Sequence, residues 1–220
     1  MERLFEFARK ATAKHDRAHD FEHAMEVLAH ARWIVETEDI ELDEYEGLLF
    51  PYVMIGHDFR DHKIKDALSE EEIFNFYKTE FVQTLTEISV EGQNDGSFPV
   101  GALEGIDNAA DGFAKVVMHI HSNCSWSKRK TRQSCGDFER LLEILQDADW
   151  IEGMRLDRCI WYTEAAFPHL TEKEKHARVA EHIREKLLLI PAELNYQSSV
   201  KLVEELGYLT ELTDYLRMVD

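Results

Sequence analysis

Apolar residues recur at spacings of three and four along most of the chain. After Asp20, a helix N-cap residue type, come Phe21, Ala24, Leu28, Ala31 and Val35. A second helix is expected from Asp43 to about His57, with Tyr45, Leu48, Leu49, Tyr52 and Val53 inward. Ser69-Glu70-Glu71-Glu72 reads as a capping box opening a helix through Phe76, Phe81, Leu85 and Ile88. Thr171-Glu172-Lys173-Glu174 is another, opening a helix toward Leu189. Further helical patterns run from Asp107 to His121, from Ser134 to Asp147 and from Asp149 to Phe167. Glu91 to Gly105 and Ser122 to Cys135 break the pattern with Gly, Asn, Asp and Ser and read as loops. No segment alternates cleanly as an exposed strand does. The expected class is all-α.

Composition narrows the reading further. A chain of 220 residues with 44% hydrophobic and 31% charged positions suits one globular domain over 1–220, with a core at about 19–167 and helices from 171–220 packing on it. The longest apolar stretches, such as Leu187 to Ile190, are far short of a membrane span. The opening MERLFEFARK lacks the apolar core of a signal peptide. Cys124, Cys135 and Cys159 form no CxxC pair, so reduced thiols in a cytoplasmic protein are expected. There are 44 acids against 25 bases, a net charge of -19. That field repels nucleic acid and anionic lipid, so neither is an expected partner. A small anionic substrate remains compatible, because one bound cation reverses the sign inside a pocket.

The chemistry-bearing residues are histidines and aspartates in a particular order: His23, the pair His57-Asp58, and Asp149. Two imidazoles and two carboxylates can hold one divalent cation near neutrality, with positions left for water and a phosphate oxygen. Alone the signal is weak, since HD also occurs at His15-Asp16 and His19-Asp20. What distinguishes His57-Asp58 is the apolar LLFPYVMIG before it, which puts the pair where a core helix emerges.

The stretches HDFEHAMEVLAHARWI, LLFPYVMIGHDFRDHK and LQDADWIEG, in that order, resemble the HD-domain metal-dependent phosphohydrolases. Closest is the small bacterial-type branch that hydrolyses nucleotides, whose tail EKLLLIPAELNYQSSVKLVEE also resembles. The resemblance runs from about His19 to Glu205 and is poor from Ile73 to Gly105. It implies an HD-type helical bundle with a metal site in its core, and ligands at His23, His57, Asp58 and Asp149. Asp149 is preferred to Asp147 because the family motif places a bulky residue after alanine-aspartate, here Ala148-Asp149-Trp150. Asp147 is then read as an exposed or outer acid. The family's acid acting on the water nucleophile falls on Asp61, and its short His-Ser turn on His121-Ser122, which makes His121 a phosphate or outer contact. On a helix His119 and His121 point about 200° apart, so His119 is read as structural.

Lys63, Lys128, Arg129 and Lys130 are the cations expected to meet substrate phosphates, and Trp126 in the same loop is a candidate stacking or lid residue. The mixed N and O donor set favours Mn²⁺, with Mg²⁺, Co²⁺, Ni²⁺, Fe²⁺ and Zn²⁺ compatible. The expected activity is hydrolysis of a nucleotide or related small phosphate ester or anhydride. Two alternatives stand beside it: a non-catalytic metal-binding regulatory module, and a di-iron oxygenase on the same scaffold. Amphipathic helices beyond Thr171 could pack on the core or on a second copy, leaving a homodimer open.

Overall fold

The computed structural model describes residues 1–59, 68–95 and 106–219. Among them lie ten α-helices, short 3₁₀ turns and no strand, so the all-α expectation holds. In chain order they are α1 (Glu2–Thr12), α2 (Phe21–Thr37), α3 (Glu44–Gly56), α4 (Glu70–Asp95), α5 (Ile106–Cys124), α6 (Glu139–Glu152), α7 (Leu156–Ala166), α8 (Glu172–Glu185), α9 (Gln197–Leu206) and α10 (Tyr208–Val219). Their starts follow local chemistry. Asp20 accepts from the His23 N–H at 3.0 Å, and Asp43 exchanges bonds with Glu46 at 2.7 and 3.0 Å. Ser69 with Glu72 and Thr171 with Glu174 close the same reciprocal box.

α3 is the central element. Leu49, Phe50, Tyr52, Val53, Met54, Ile55 and Gly56 are all buried, the pattern of a helix enclosed on every side. α2 packs against α3 and α6, while α5 packs against α3, α4 and α6. Gly56 sits at the tightest point: a Cβ there would lie 2.0 Å from the Tyr77 Oη and 3.0 Å from His121 Cε1.

Two boundaries differ from the sequence reading. Helical patterns expected to break at Ala148 form one helix, α6, which runs through both Asp147 and Asp149 and gives way only at Gly153. α4 continues to Asp95, into the stretch read as a loop. Asp147 is also corrected: it is fully buried rather than exposed. Its carboxylate accepts from the Asn195 N–H at 2.9 and 3.1 Å, from Asn195 Nδ2 at 2.8 Å and from the Tyr196 N–H at 3.0 Å. It thereby fastens the start of α9 to α6. The three cysteines are buried thiols, and no helix among the described residues is long and apolar enough to cross a membrane.

Candidate metal centre

His23 stands in the first turn of α2, His57 caps α3, Asp58 follows it, and Asp149 lies on α6. Because α2 packs on both α3 and α6, the four side chains meet. His23 Nε2 and His57 Nε2 are 3.0 Å apart. Asp58 Oδ2 lies 3.3 Å from the first and 3.5 Å from the second. Asp149 Oδ1 lies 3.5 and 3.6 Å from the same two nitrogens. The tightest trio is His23, His57 and Asp58, whose ligand atoms all fall within 4.8 Å of one another; Asp149 joins it through the imidazoles. Bonds of about 2.1 Å put neighbouring ligand atoms about 3.0 Å apart in an octahedron and about 3.4 Å apart in a tetrahedron. The separations fit a single small divalent cation.

Other features fit too. The His57 Nδ1–H donates to the Met54 carbonyl at 2.8 Å, so in the neutral ring Nε2 carries the lone pair into the cluster. Both imidazoles are 1% exposed and both carboxylates about a quarter exposed, so the cluster opens on its oxygen side. Burial opposes charge on His57, Asp58 and Asp149, yet opposite charges win. His57 is raised to about 9 by the Asp58 and Asp149 carboxylates, while Asp58 and Asp149 are held well below the usual carboxylate range by the facing imidazoles. His23 Nδ1 is buried without a partner.

The cluster forms part of the wall of a cavity of about 530 Å³, which His121, Trp126, Lys128, Trp150, Arg158 and Lys186 also line. The remaining expected site residues divide. Asp61 and Lys63 lie outside the described residues. His121 lines the cavity, but its Nε2–H donates to the Val53 carbonyl at 2.9 Å, leaving only a lone pair at Nδ1. Burial and the neighbouring His57 hold it down to about 3, so it is neutral and has no free N–H for a phosphate oxygen. Of the two roles expected for His121, a phosphate contact or an outer contact, this geometry is compatible with the outer one. His119 turns away and donates to the Ser134 carbonyl at 3.2 Å.

Of the basic run, Lys128 alone reaches the cavity wall, and its Nζ also donates to the Ser122 carbonyl. Arg129 folds back over the Trp126 ring at 4.1 Å and toward Glu193 at 4.0 Å, and Lys130 is exposed away from the cavity. The expected phosphate role of those two is corrected, because neither lines the cavity beside the cluster. Trp126 packs edge-on against Trp150, centroids 4.9 Å apart, and forms a wall.

Sequence reasoning missed His19 and Arg158. His19 donates from Nδ1 to Asp16 at 2.9 Å and lines the cavity; its own HD dipeptide was the available signal. Nothing local marks Arg158 among 25 basic residues.

No protein-family profile matches the sequence, and no curated protein is significantly similar to it. Solved structures that share its fold include one from Bacillus subtilis and one from Lactobacillus plantarum. YpgQ of Bacillus subtilis is 20% identical, with a TM-score of 0.60 over 100% of this chain and 96% of that one. A structural-genomics target from Lactobacillus plantarum is 16% identical, with a TM-score of 0.61 over 99% of this chain and 93% of that one. At such identities the likeness is one of fold.

Proposed function

We propose that this protein is a metal-dependent phosphohydrolase of the HD type, acting on a small phosphate ester or anhydride such as a nucleotide. The observation that carries the reading is the convergence of His23 Nε2, His57 Nε2, Asp58 Oδ2 and Asp149 Oδ1, two imidazole nitrogens and two carboxylate oxygens from α2, the end of α3 and α6. Two carboxylates balance a divalent charge, and the N₂O₂ set suits Mn²⁺ or a neighbour in its series. Such a cation, when bound, supplies Lewis-acid polarisation of a phosphoryl oxygen and a more acidic water. The chain's own residues do the rest. The Met54 carbonyl fixes the His57 ring, the Asp20 cap and the α2–α6 packing place His23 against Asp149, and Lys128 supplies positive charge on the cavity wall. Indoles of Trp126 and Trp150 keep one side of the cavity apolar.

A cavity of about 530 Å³ has room for a nucleotide-sized ligand. The test is release of phosphate or pyrophosphate from a panel of nucleotides, with Mn²⁺, Mg²⁺, Co²⁺, Ni²⁺, Fe²⁺ and Zn²⁺ each added. Release that depends on metal and disappears in Asp58→Ala is expected. A protein that carries stoichiometric metal by elemental analysis yet releases neither product from any nucleotide overturns the reading and leaves the regulatory module.

A further inference from the structure

Beside the metal cluster lies a second cavity of about 340 Å³, between α7 and α8. The two share four wall residues, His19, Gly153, Arg158 and Lys186. Arg158 is unusual among them. It is only 7% exposed, its Nη2 donates to the Ala18 carbonyl, and its Nε and Nη1 are buried with no hydrogen-bond partner. A guanidinium offers five donors in a rigid plane, and burying some of them unpaired costs more than burying a neutral group. Asp16 feels the Arg158 charge, but its Oδ1 already accepts from His19 Nδ1 and from the Ala18 N–H. A cation anchored at one nitrogen and unpaired at two others, on the wall of two adjoining cavities, is arranged to receive an anion.

We propose that Arg158 is the anion anchor of this site, its Nε and Nη1 donating to the oxygens of a phosphoryl group held at the junction of the two cavities. This rests on the phosphohydrolase reading for the ligand's chemistry, though not for the binding itself. It moves the main phosphate contact from the basic run before α6 to the first turn of α7. Planar, paired donors match phosphate oxygens better than the point charge of Lys128. The Ala18 carbonyl, just before the His19-Asp20 start of α2, holds the guanidinium in place, so ligand and metal helix are registered against one another. Arg158 is thus a positioning residue for whichever phosphoryl group is bound.

Inorganic phosphate is the probe, titrated by calorimetry into Mn²⁺-loaded wild type, R158Q and R158K, with metal content and melting temperature measured on each. R158Q is expected to keep its metal and bind phosphate at least tenfold more weakly. R158K, which keeps the charge but not the fork, should recover part of that loss. With nucleotide, KM should rise more than kcat falls. Phosphate affinity unchanged in R158Q overturns the proposal, as does a metal-loaded wild type that binds no phosphate. Should R158Q fail to fold, R158K decides: affinity equal to wild type overturns the assignment, and a threefold or greater loss with metal retained supports it. Arg158-dependent phosphate binding in a protein that hydrolyses no nucleotide leaves this inference standing and overturns the hydrolase. Hydrolysis with a phosphate affinity indifferent to Arg158 does the reverse.

Discussion

Asp147 and Asp149 are two residues apart on one helix, and exchanging each for asparagine should separate architecture from chemistry. Residues i and i+2 point about 200° apart on a helix, so their carboxylates serve opposite faces of α6. Asp147 accepts four bonds from Asn195 and Tyr196. An amide keeps only one acceptor oxygen and turns an NH₂ toward N–H donors, leaving at least one part-buried donor without its acceptor. Losing a charge-assisted bond and stranding its donor costs about 2–4 kcal/mol. At about 2–4 °C per kcal/mol for a chain of this size, the chelated Asp147→Asn protein should melt roughly 5–15 °C lower. Its metal response should survive. A ligand at a hundred times its Kd stabilises by about 2.7 kcal/mol, so adding Mn²⁺ should raise the melting temperature of Asp147→Asn by roughly 5–10 °C, as in wild type. Asp149→Asn removes an oxygen that lies 3.5–3.6 Å from both imidazole nitrogens. It should lose nearly all of that metal-induced rise. Differential scanning fluorimetry with and without Mn²⁺, paired with elemental analysis, measures both. A metal response lost in Asp147→Asn, or kept in Asp149→Asn, would refute the division of roles.

Two further outcomes follow from the geometry. His57 in the chelated protein is raised to about 9, so its charge stabilises the chelated fold fully below about 6.5 and that contribution fades as pH climbs through 9. Because a ligand must be neutral, metal loading at pH 7 should release about one proton from this ring; calorimetry in buffers of different ionisation enthalpy that shows no release would contradict it. Gly56→Ala should cost about 1–3 kcal/mol by driving a methyl into the Tyr77 hydroxyl, whose oxygen is buried and unpartnered. Tyr77→Phe should relieve much of that cost, and a urea-melt double-mutant cycle additive to within about 0.5 kcal/mol would refute the contact.

The helix starts were readable because a cap is local chemistry: Asp20, Asp43 with Glu46, Ser69 with Glu72 and Thr171 with Glu174 each bond within three residues. The continuity of α6 was not, because the patterns ending at Asp147 and beginning at Asp149 belong to opposite faces of one helix, Asp147 bonded to Asn195 and Tyr196 and Asp149 facing the imidazoles. The four converging side chains were singled out by their order together with the family resemblance, whereas the distances between them come only from the packing of α2, α3 and α6. The basic run looked like the phosphate contact because charge density is visible in sequence and direction is not. Arg158 was invisible for the converse reason: its distinction is burial with unpaired nitrogens, which no local pattern announces.

The spread of the proposed ligands over α2, the end of α3 and α6 bears on when the site comes into being. Translation delivers His23, His57 and Asp58 early and Asp149 only about ninety residues later, an interval of roughly 5–20 s at typical elongation rates. Throughout that interval the emerging chain carries two imidazoles but a single one of the two carboxylates. A divalent ion meeting it would be under-neutralised and loosely held. On the proposed reading, capture would wait until α6 docks against α2 and α3, so the ion would be selected by a nearly finished bundle, from the metals present at that moment, rather than by the nascent chain.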